Sequence, residues 1–423
     1  MKILVVGSGG REHAICRSLK KSAKVEKIYC ADGNAGIAEI AERVAVKPTD
    51  IQSLADFAAG EKIDLTFVGG ETPLALGIVD EFEKRGLKIV GANRRTAQLE
   101  ASKSFAKDFM ARHKIPTAAY ETASSIAEAK KILQSGKFGD ENAPVVVKAD
   151  GLAAGKGVVV AADKNEARRA IDELENLVGK RAVEKIVLEE CLFGREVSLI
   201  MFADGANFAL MPPVRDHKRI YENDRGANTG GMGTICDDCL LSPDETKEIV
   251  EKIIKPTLAG ARAENFPFRG ILFLGLMMTE RGAQVLEYNA RFGDPETQSI
   301  LIRLETDLTE ICEAILNKTL DKIAVKWKRG SSACVILAAE NYPQKPKTGD
   351  VIKGLDEIKP DKNVFVFHSG TAKNEDGEFV TAGGRVLGVT ALGNDINRAL
   401  SRAYRAAGKI SFDGMQFRQD IGK

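Results

Sequence analysis

The sequence predicts a multidomain α/β protein, and three features of its 423 residues carry that prediction. Short apolar runs alternate with helix-like stretches through the first hundred residues, the pattern of strand–helix–strand units in a parallel sheet. At about 150 residues per domain, the length allows roughly three compact units. Glycine, at 40 residues, exceeds its ordinary share of about 7% and gathers in a few loops without a repeat period.

Composition narrows the classes of function. Hydrophobic residues make up 44% and charged residues 29%, and 61 basic against 60 acidic side chains leave a net charge of +1. This excludes wholesale disorder and gives no support to nucleic-acid or membrane binding through bulk charge. No apolar run approaches the ~18 residues of a spanning helix. The chain enters a strand-like run without a basic-then-apolar leader, and its seven scattered cysteines are odd in number, so a reducing cytoplasm is expected.

The elements follow in order. Residues 3–6, 27–31, 44–46, 65–68 and 88–90 read as strands, with Asp50 as an N-cap and Gly86 as the C-cap of a helix over 74–85. A polar helix near 102–113 ends at Ile115-Pro116, where proline pushes the preceding residue out of the helical region. A compact α+β module comes next: helix 125–134, strand 145–148, glycine loop 151–157, strand 158–162, helix 165–177 and strand 185–189. Residues 195–210 form a hairpin around Asp204-Gly205, and 212–233 is a long loop, which at that length is usually functional. A helix over 244–263 leads to strands 271–278 and 283–289, and a basic junction at 326–332 opens a last segment with strands 333–338, 364–368 and 385–391 and a helix 396–407. A domain boundary is expected near Trp327.

Gly7-Ser8-Gly9-Gly10-Arg11-Glu12-His13 joins the first strand to the first helix, where backbone N–H groups and the helix dipole attract phosphate. Glu12 stands where a dinucleotide fingerprint has its third glycine, so the loop suits a monophosphate, with Arg11 as a bidentate partner. A tight turn without a ligand explains that loop equally well. Residues 33–36 are further backbone donors or a plain turn.

In the central unit, Lys148 sits on a strand and Lys156 in the following glycine loop. A strand-end lysine can hold α/β-phosphates while a mobile loop closes over the rest. This is no Walker loop, because Gly157 and a strand follow Lys156 instead of Ser or Thr and a helix. On a strand, Glu287, Asn289 and Arg291 would share one face with Tyr288 and Ala290 behind. Two oxygen ligands beside a guanidinium suit a hard divalent cation next to phosphate, and a solvated edge face is the plain alternative.

Together these residues resemble the ATP-grasp superfamily and, within it, the ligases that join glycine to 5-phosphoribosylamine. The resemblance rests on residues 9–14, 148–157, 216–219, 228–233 and, most specifically, Arg-Phe-Gly-Asp-Pro-Glu-Thr-Gln at 291–298, and it spans the chain. It implies an N-terminal parallel-sheet (pre-ATP-grasp) domain at 1–101, a two-part ATP-grasp domain at 102–326 with a lid at about 121–191, and a C-terminal α+β domain at 327–423. The implied reaction phosphorylates glycine with ATP and passes the glycyl phosphate to phosphoribosylamine, giving glycinamide ribonucleotide, ADP and phosphate for purine synthesis.

By the same resemblance, Lys103 and Lys148 contact ATP phosphates, Gly155 and Lys156 lie in the covering loop, Glu189 and Leu192 read adenine at the hinge, and Glu196 holds the ribose. Glu287 and Asn289 bind Mg²⁺ or Mn²⁺; Arg291, Asp294, Asp216 and Lys218 surround glycine and the acyl phosphate; Gly9, Gly10, Arg11 and Asn34 face the ribose phosphate. Small-molecule substrates, no nucleic acid, no membrane and a monomer are expected.

The sequence departs from the pattern at Gly69-Gly70-Glu71-Thr72-Pro73, at Ala227 and at 236–239, none of which removes a residue expected on ATP or metal. Cys236 and Cys239 have zinc-knuckle spacing without a second pair and read as small loop residues. Three rival readings stand beside this one. A nicotinamide-dependent dehydrogenase is opposed by the missing third glycine, and a catalytically silent nucleotide sensor by the intact Lys148, Glu287, Asn289 and Arg291. Another ATP-grasp ligase or carboxylase would differ in its acid and amine.

Overall fold

The computed structural model describes residues 1–152, 157–179, 184–358 and 361–423. Its first unit is a parallel sheet of β1 (Lys2–Gly7), β2 (Lys27–Asp32), β3 (Glu42–Val44), β4 (Leu65–Val68) and β5 (Ile89–Val90), ordered β3-β2-β1-β4-β5. Ile3, Leu4, Val5 and Val6 are wholly buried, as expected of a strand covered on both faces. Helices α1 (Gly10–Leu19), α2 (Ile51–Gly60), α3 (Glu71–Leu76) and α4 (Ile78–Lys84) make the crossovers. The single helix expected over 74–85 is thus broken in two, because Gly77 at φ +88° ends α3 in a conformation that a side chain rarely adopts. The chain order reverses between β2 and β4, so the loops after β1 and β4 splay apart and leave a crevice at the carboxyl edge of the sheet.

Two short helices, α5 (Gln98–Ala101) and α6 (Lys103–Arg112), lead into an antiparallel sheet of β6 (Tyr120–Ala123), β7 (Val145–Ala149), β8 (Val158–Ala161) and β9 (Ile186–Glu190), in the order β6-β9-β7-β8. Helices α7 (Ile126–Gln134) and α8 (Lys164–Val178) begin at Ser125 and Asp163, whose side chains accept the N–H of Glu128 and Glu166. They bury Ala129, Leu133, Ile171 and Leu174 against Val145, Val147 and Leu188, a core separate from the rest of the molecule.

The body is a nine-stranded sheet built on β10 (Arg195–Asp204) with β11 (Phe208–Leu210), β12 (Val214–Asp216), β15 (Gly233–Cys236), β16 (Arg269–Thr279) and β17 (Gly282–Asn289). Alternate residues of β10 enter different cores: Val197, Leu199 and Met201 pack with Leu4 and Val6 of β1, while Ile200 and Phe202 pack with α1 residues such as Ile15. The segment expected to be a long loop, 212–233, instead contains β12, half of the bridge to β15, and a hairpin of β13 (Arg219–Tyr221) and β14 (Arg225–Asn228). Strands of three or four residues are too short to show their alternation in sequence. The helix expected over 244–263 is α9 (Pro243–Ile249) and α10 (Lys255–Ala263) joined by a π turn at Val250–Ile254, just before Pro256, which lacks a backbone N–H.

After α11 (Glu296–Leu301) and α12 (Leu308–Asn317), the last segment supplies β18 (Ser331–Ala338), β19 (Val364–His368), a hairpin of β20 (Thr371–Lys373) and β21 (Phe379–Thr381), β22 (Arg385–Gly393) and α13 (Ile396–Ala407). Strand β18 pairs with β15, so β18, β22 and β19 continue the central sheet, and β20 and β21 form a small sheet of their own. Among the described residues, no helix is long and apolar enough to cross a membrane.

Candidate active site

The crevice beside β1 has a volume of about 300 Å³ and is lined by residues 6–9, Arg11 and Glu12, 48–49, 70–73 and Asp294. Its floor is Glu12. One carboxylate oxygen accepts the Gly9 N–H at 2.6 Å, and the other accepts Arg11 Nε at 2.6 Å. A Cβ on Gly69 would lie 2.1 Å from this carboxylate, so the residue that follows β4 packs against it only as glycine. Glu12 therefore caps its own helix, and the Gly9 amide is already satisfied. Arg11 also donates to the Phe292 carbonyl at 3.1 Å. Burial works against its charge, but Glu12, Glu71 and Asp294 hold it charged.

The four residues expected on the ribose phosphate divide here. Gly9 and Arg11 line the crevice. Gly10 is buried, and a Cβ there would meet Gln298 and Ser369 at 2.6 Å. Asn34 is buried too, with its amide donating to the carbonyls of Ser8 at 2.8 Å and His368 at 2.7 Å and its oxygen accepting the Ile37 N–H at 2.9 Å. With its side chain so engaged, Asn34 ties the glycine loop to β19, where the sequence reading placed it on the ligand.

The second region lies between the β6-β9-β7-β8 sheet and the body. Helix α6 starts at Ser102, whose hydroxyl accepts the Phe105 N–H, and Asp150 accepts the Ser104 N–H at 2.6 Å, which brings Lys103 to the end of β7. Lys103 donates to the Gly151 carbonyl at 3.2 Å, and its burial lowers its pKa. Lys148, on β7, lies 2.7 Å from Glu189 and donates to the Leu286 carbonyl at 3.2 Å. Burial would raise the Glu189 pKa, yet Lys148 and Lys107 hold it below the usual carboxylate range. Leu192 packs with Ala118 and Met277, and with Leu286 at their edge, an apolar wall at the hinge. Glu196 pairs with Lys218 at 2.6 Å, which lowers the pKa of the carboxyl. Gly155 and Lys156 lie outside the described residues.

Strand β17 closes this region. Glu287 is exposed, Asn289 is buried, and Tyr288 points behind to share a hydrogen bond with Thr257 at 2.8 Å. Both oxygen donors are hard, and the fields of Lys103 and Lys218 include Glu287, so the pair fits a divalent cation shared with phosphate oxygens. Arg291 lies beyond the strand. It reaches Glu100 at 2.7 Å and Glu71 at 3.3 Å, and donates to Asn289 Oδ1 at 3.1 Å. Asp294 accepts from Gln298 at 2.7 Å and lies 3.5 Å from Arg385. Burial pushes its carboxyl up, but Arg385 and Arg11 bring it below its ordinary value. On β12, burial and the neighbouring Glu296 raise the pKa of Asp216.

The structure thus joins two ligand regions through one corner. Arg291 carries the chain from the Glu287–Asn289 pair to Glu71, which lines the crevice, and Asp294 lines it directly. The sequence reading missed Lys107, Glu100 and Arg385, and gave Glu296 no role of its own, because their contacts depend on packing between distant segments. Glu71 carried a signal, since the 69–73 stretch follows β4 at the carboxyl edge of the sheet.

A four-stranded antiparallel sheet carrying Lys148 beside a larger sheet carrying Glu287 and Asn289 is the arrangement of an ATP-grasp ligase. Sequence and structural similarity agree. The chain matches the phosphoribosylglycinamide synthetase N domain over residues 1–100, the ATP-grasp (A) domain over 101–297 and the C domain over 332–423, and it belongs to that family. It is 46% identical over 422 residues to a phosphoribosylamine–glycine ligase of Caldanaerobacter subterraneus, covering 100% of this chain and 99% of that one. The crystal structure of phosphoribosylamine–glycine ligase from Thermotoga maritima superposes with a TM-score of 0.85 at 31% identity, covering 100% of both chains. A biotin carboxylase from Campylobacter jejuni, at 16% identity and a TM-score of 0.72 over 98% of this chain and 92% of that one, shares the fold. ATP-grasp ligases use ATP with Mg²⁺.

Proposed function

We propose that this chain joins glycine to 5-phosphoribosylamine at the expense of ATP, in the synthesis of purines. One observation carries the reading beyond family membership: the crevice of the parallel sheet and the lysine-lined cleft meet at Arg291 and Asp294. An acyl phosphate formed in the cleft is then next to an amine held in the crevice.

A glycine carboxylate is a poor acyl donor until one oxygen becomes a leaving group. Its oxygen attacks the γ-phosphorus of ATP, the bond to the β-phosphate oxygen breaks, and ADP leaves. The amine of phosphoribosylamine then attacks the glycyl carbonyl, phosphate departs, and the ammonium proton is lost to give the amide. Lys103 and Lys148 face the nucleotide phosphates, Leu192 walls the adenine, Glu189 backs the hinge and Glu196 is placed for the ribose. Glu287 and Asn289 would hold Mg²⁺ or Mn²⁺, which supplies charge neutralisation on the phosphates. Arg291 and Asp294, with Asp216 and Lys218, orient the acyl group. Arg11 binds the ribose phosphate, which Gly9 faces from the crevice wall, with Gly10 and Asn34 behind them. The lid over 121–191, with Gly155 and Lys156, shuts water away from the acyl phosphate.

We read the units as 1–101, 102–326 and 327–423, and the protein as a cytoplasmic monomer, in keeping with cysteines that are all unpaired. The test is ADP release with Mg²⁺ and ATP. It requires glycine and freshly generated phosphoribosylamine together, with one amide formed per ADP; turnover with a different acid or amine overturns the substrate assignment.

A further inference from the structure

Lys107 has no place in the mechanism above, yet its side chain is 2% exposed, in the middle of the nucleotide region. An ammonium is buried so deeply only with partners. Lys107 lies 2.8 Å from one oxygen of Glu189, and Lys148 lies 2.7 Å from the other. Lys107 also donates to Thr117 Oγ1 at 2.8 Å, and that hydroxyl donates to the Val285 carbonyl at 2.6 Å, which anchors the group to β17. Burial lowers the Lys107 pKa to about 8. Two buried ammonium groups therefore share one buried carboxylate, and one of the two is the lysine placed to bind phosphate.

We propose that Lys107 is a positioning residue that frees Lys148 for the nucleotide by remaining as the counter-ion of Glu189. The proposal rests on the reading of this region as the ATP site. When phosphate draws Lys148 away, Glu189 keeps a partner and no bare carboxylate is left in the protein interior. Without Lys107, Lys148 would be the only ammonium against Glu189, and each nucleotide would have to pull it off an otherwise unpaired buried charge. Adenosine, which has no phosphate, makes no such demand. The function of Lys107 is thus to set the affinity for the phosphate chain separately from that for the base.

The test is equilibrium binding of ATP and of adenosine to the full-length chain, which needs no turnover. Lys107→Met is expected to weaken ATP binding about tenfold or more and to change adenosine binding less than twofold. Lys107→Arg, which keeps the charge, should stay within threefold of the parent for ATP. In a Glu189→Gln background the competitor for Lys148 is gone, so adding Lys107→Met should cost less than twofold. That last pair decides the matter even if Lys107→Met alone does not fold, because the double variant leaves no unpaired carboxylate. Equal losses for ATP and adenosine, or the same loss in both backgrounds, would overturn the proposal and mark Lys107 as a plain structural residue. Absence of ATP binding by the parent chain would instead overturn the nucleotide site itself.

Discussion

Single side chains in this protein are held by contacts that their neighbours in sequence do not reveal. Glu287 sits exposed at the open face of β17, within the fields of Lys103 and Lys218. Its carboxylate is the one strong anionic donor of the proposed metal pair, so Glu287→Ala should lower metal-dependent turnover by about 10²-fold or more. ADP release measured across a Mg²⁺ titration checks this; near-normal rates at ordinary Mg²⁺ would remove the metal role. Arg11 is fixed by Glu12 on one side and the Phe292 carbonyl on the other, with its charge kept by three carboxylates. Arg11→Ala should raise the KM for phosphoribosylamine about tenfold, the order of one lost charge-assisted hydrogen bond. The KM for ATP should be unchanged, and an effect confined to ATP would place Arg11 in the other region.

At the scale of elements, the hairpin of β13 and β14 depends on a distant partner, the end of the chain. Arg418 is 2% exposed and donates to Asp420 at 2.7 Å, to Asp224 in the hairpin turn at 2.7 Å and to the Arg219 carbonyl at 3.1 Å. Asp420 in turn accepts the Asn223 N–H at 2.8 Å. Burial pushes the Asp420 carboxyl up, but the bonds from Arg418 and Asn223 outweigh this and bring it to about 2. A folded pKa below the unfolded one gives stability that is present above about pH 4 and lost as pH falls toward 2. The expected contribution is on the order of 2 kcal/mol. Urea unfolding of the parent and of Asp420→Asn at pH 5 and pH 2.5 should show the parent losing more stability across that interval by about this amount. An equal loss in both would mean that the staple is solvated. The same hairpin begins at the residue after Lys218, so the C-terminus supports the segment that carries one of the proposed glycine-site residues.

For the molecule as a whole, the cores foretell how it opens. One core runs from Leu4 and Val6 of the parallel sheet into Leu199, Leu272 and Leu274 of the body, whereas the lid has a core of its own. Cooperative units follow shared cores, so the lid should open at a lower free energy than the sheet it covers. Hydrogen exchange would then give amides of β7 a lower opening free energy than those of β10, whose amides report global unfolding. Equal protection in the two would show that lid and body unfold as one. A lid that opens by itself is what admission of ATP and exclusion of water both require.

Much of this was legible in the chain itself, for local reasons. The parallel strands announced themselves as apolar runs because both faces are buried, and Asp50 marked a helix start because a cap needs only a side-chain oxygen and an N–H three residues on. The glycine loops, Lys148 and the Glu287–Asn289 pair were visible because their spacing on a strand or turn is itself the arrangement. What the sequence could not determine was everything that joins residues far apart in the chain. Only the tertiary structure decided that Asp294 would close the crevice beside Gly9 and Arg11, that Asn34 would bind the end of β19, that β18, β22 and β19 would extend the central sheet, and that Lys107 would share Glu189 with Lys148. Periodicity and turn chemistry act over a few residues and are written in order along the chain; burial, ion pairing and close approach depend on which distant segments meet, and that is settled when the cores pack together.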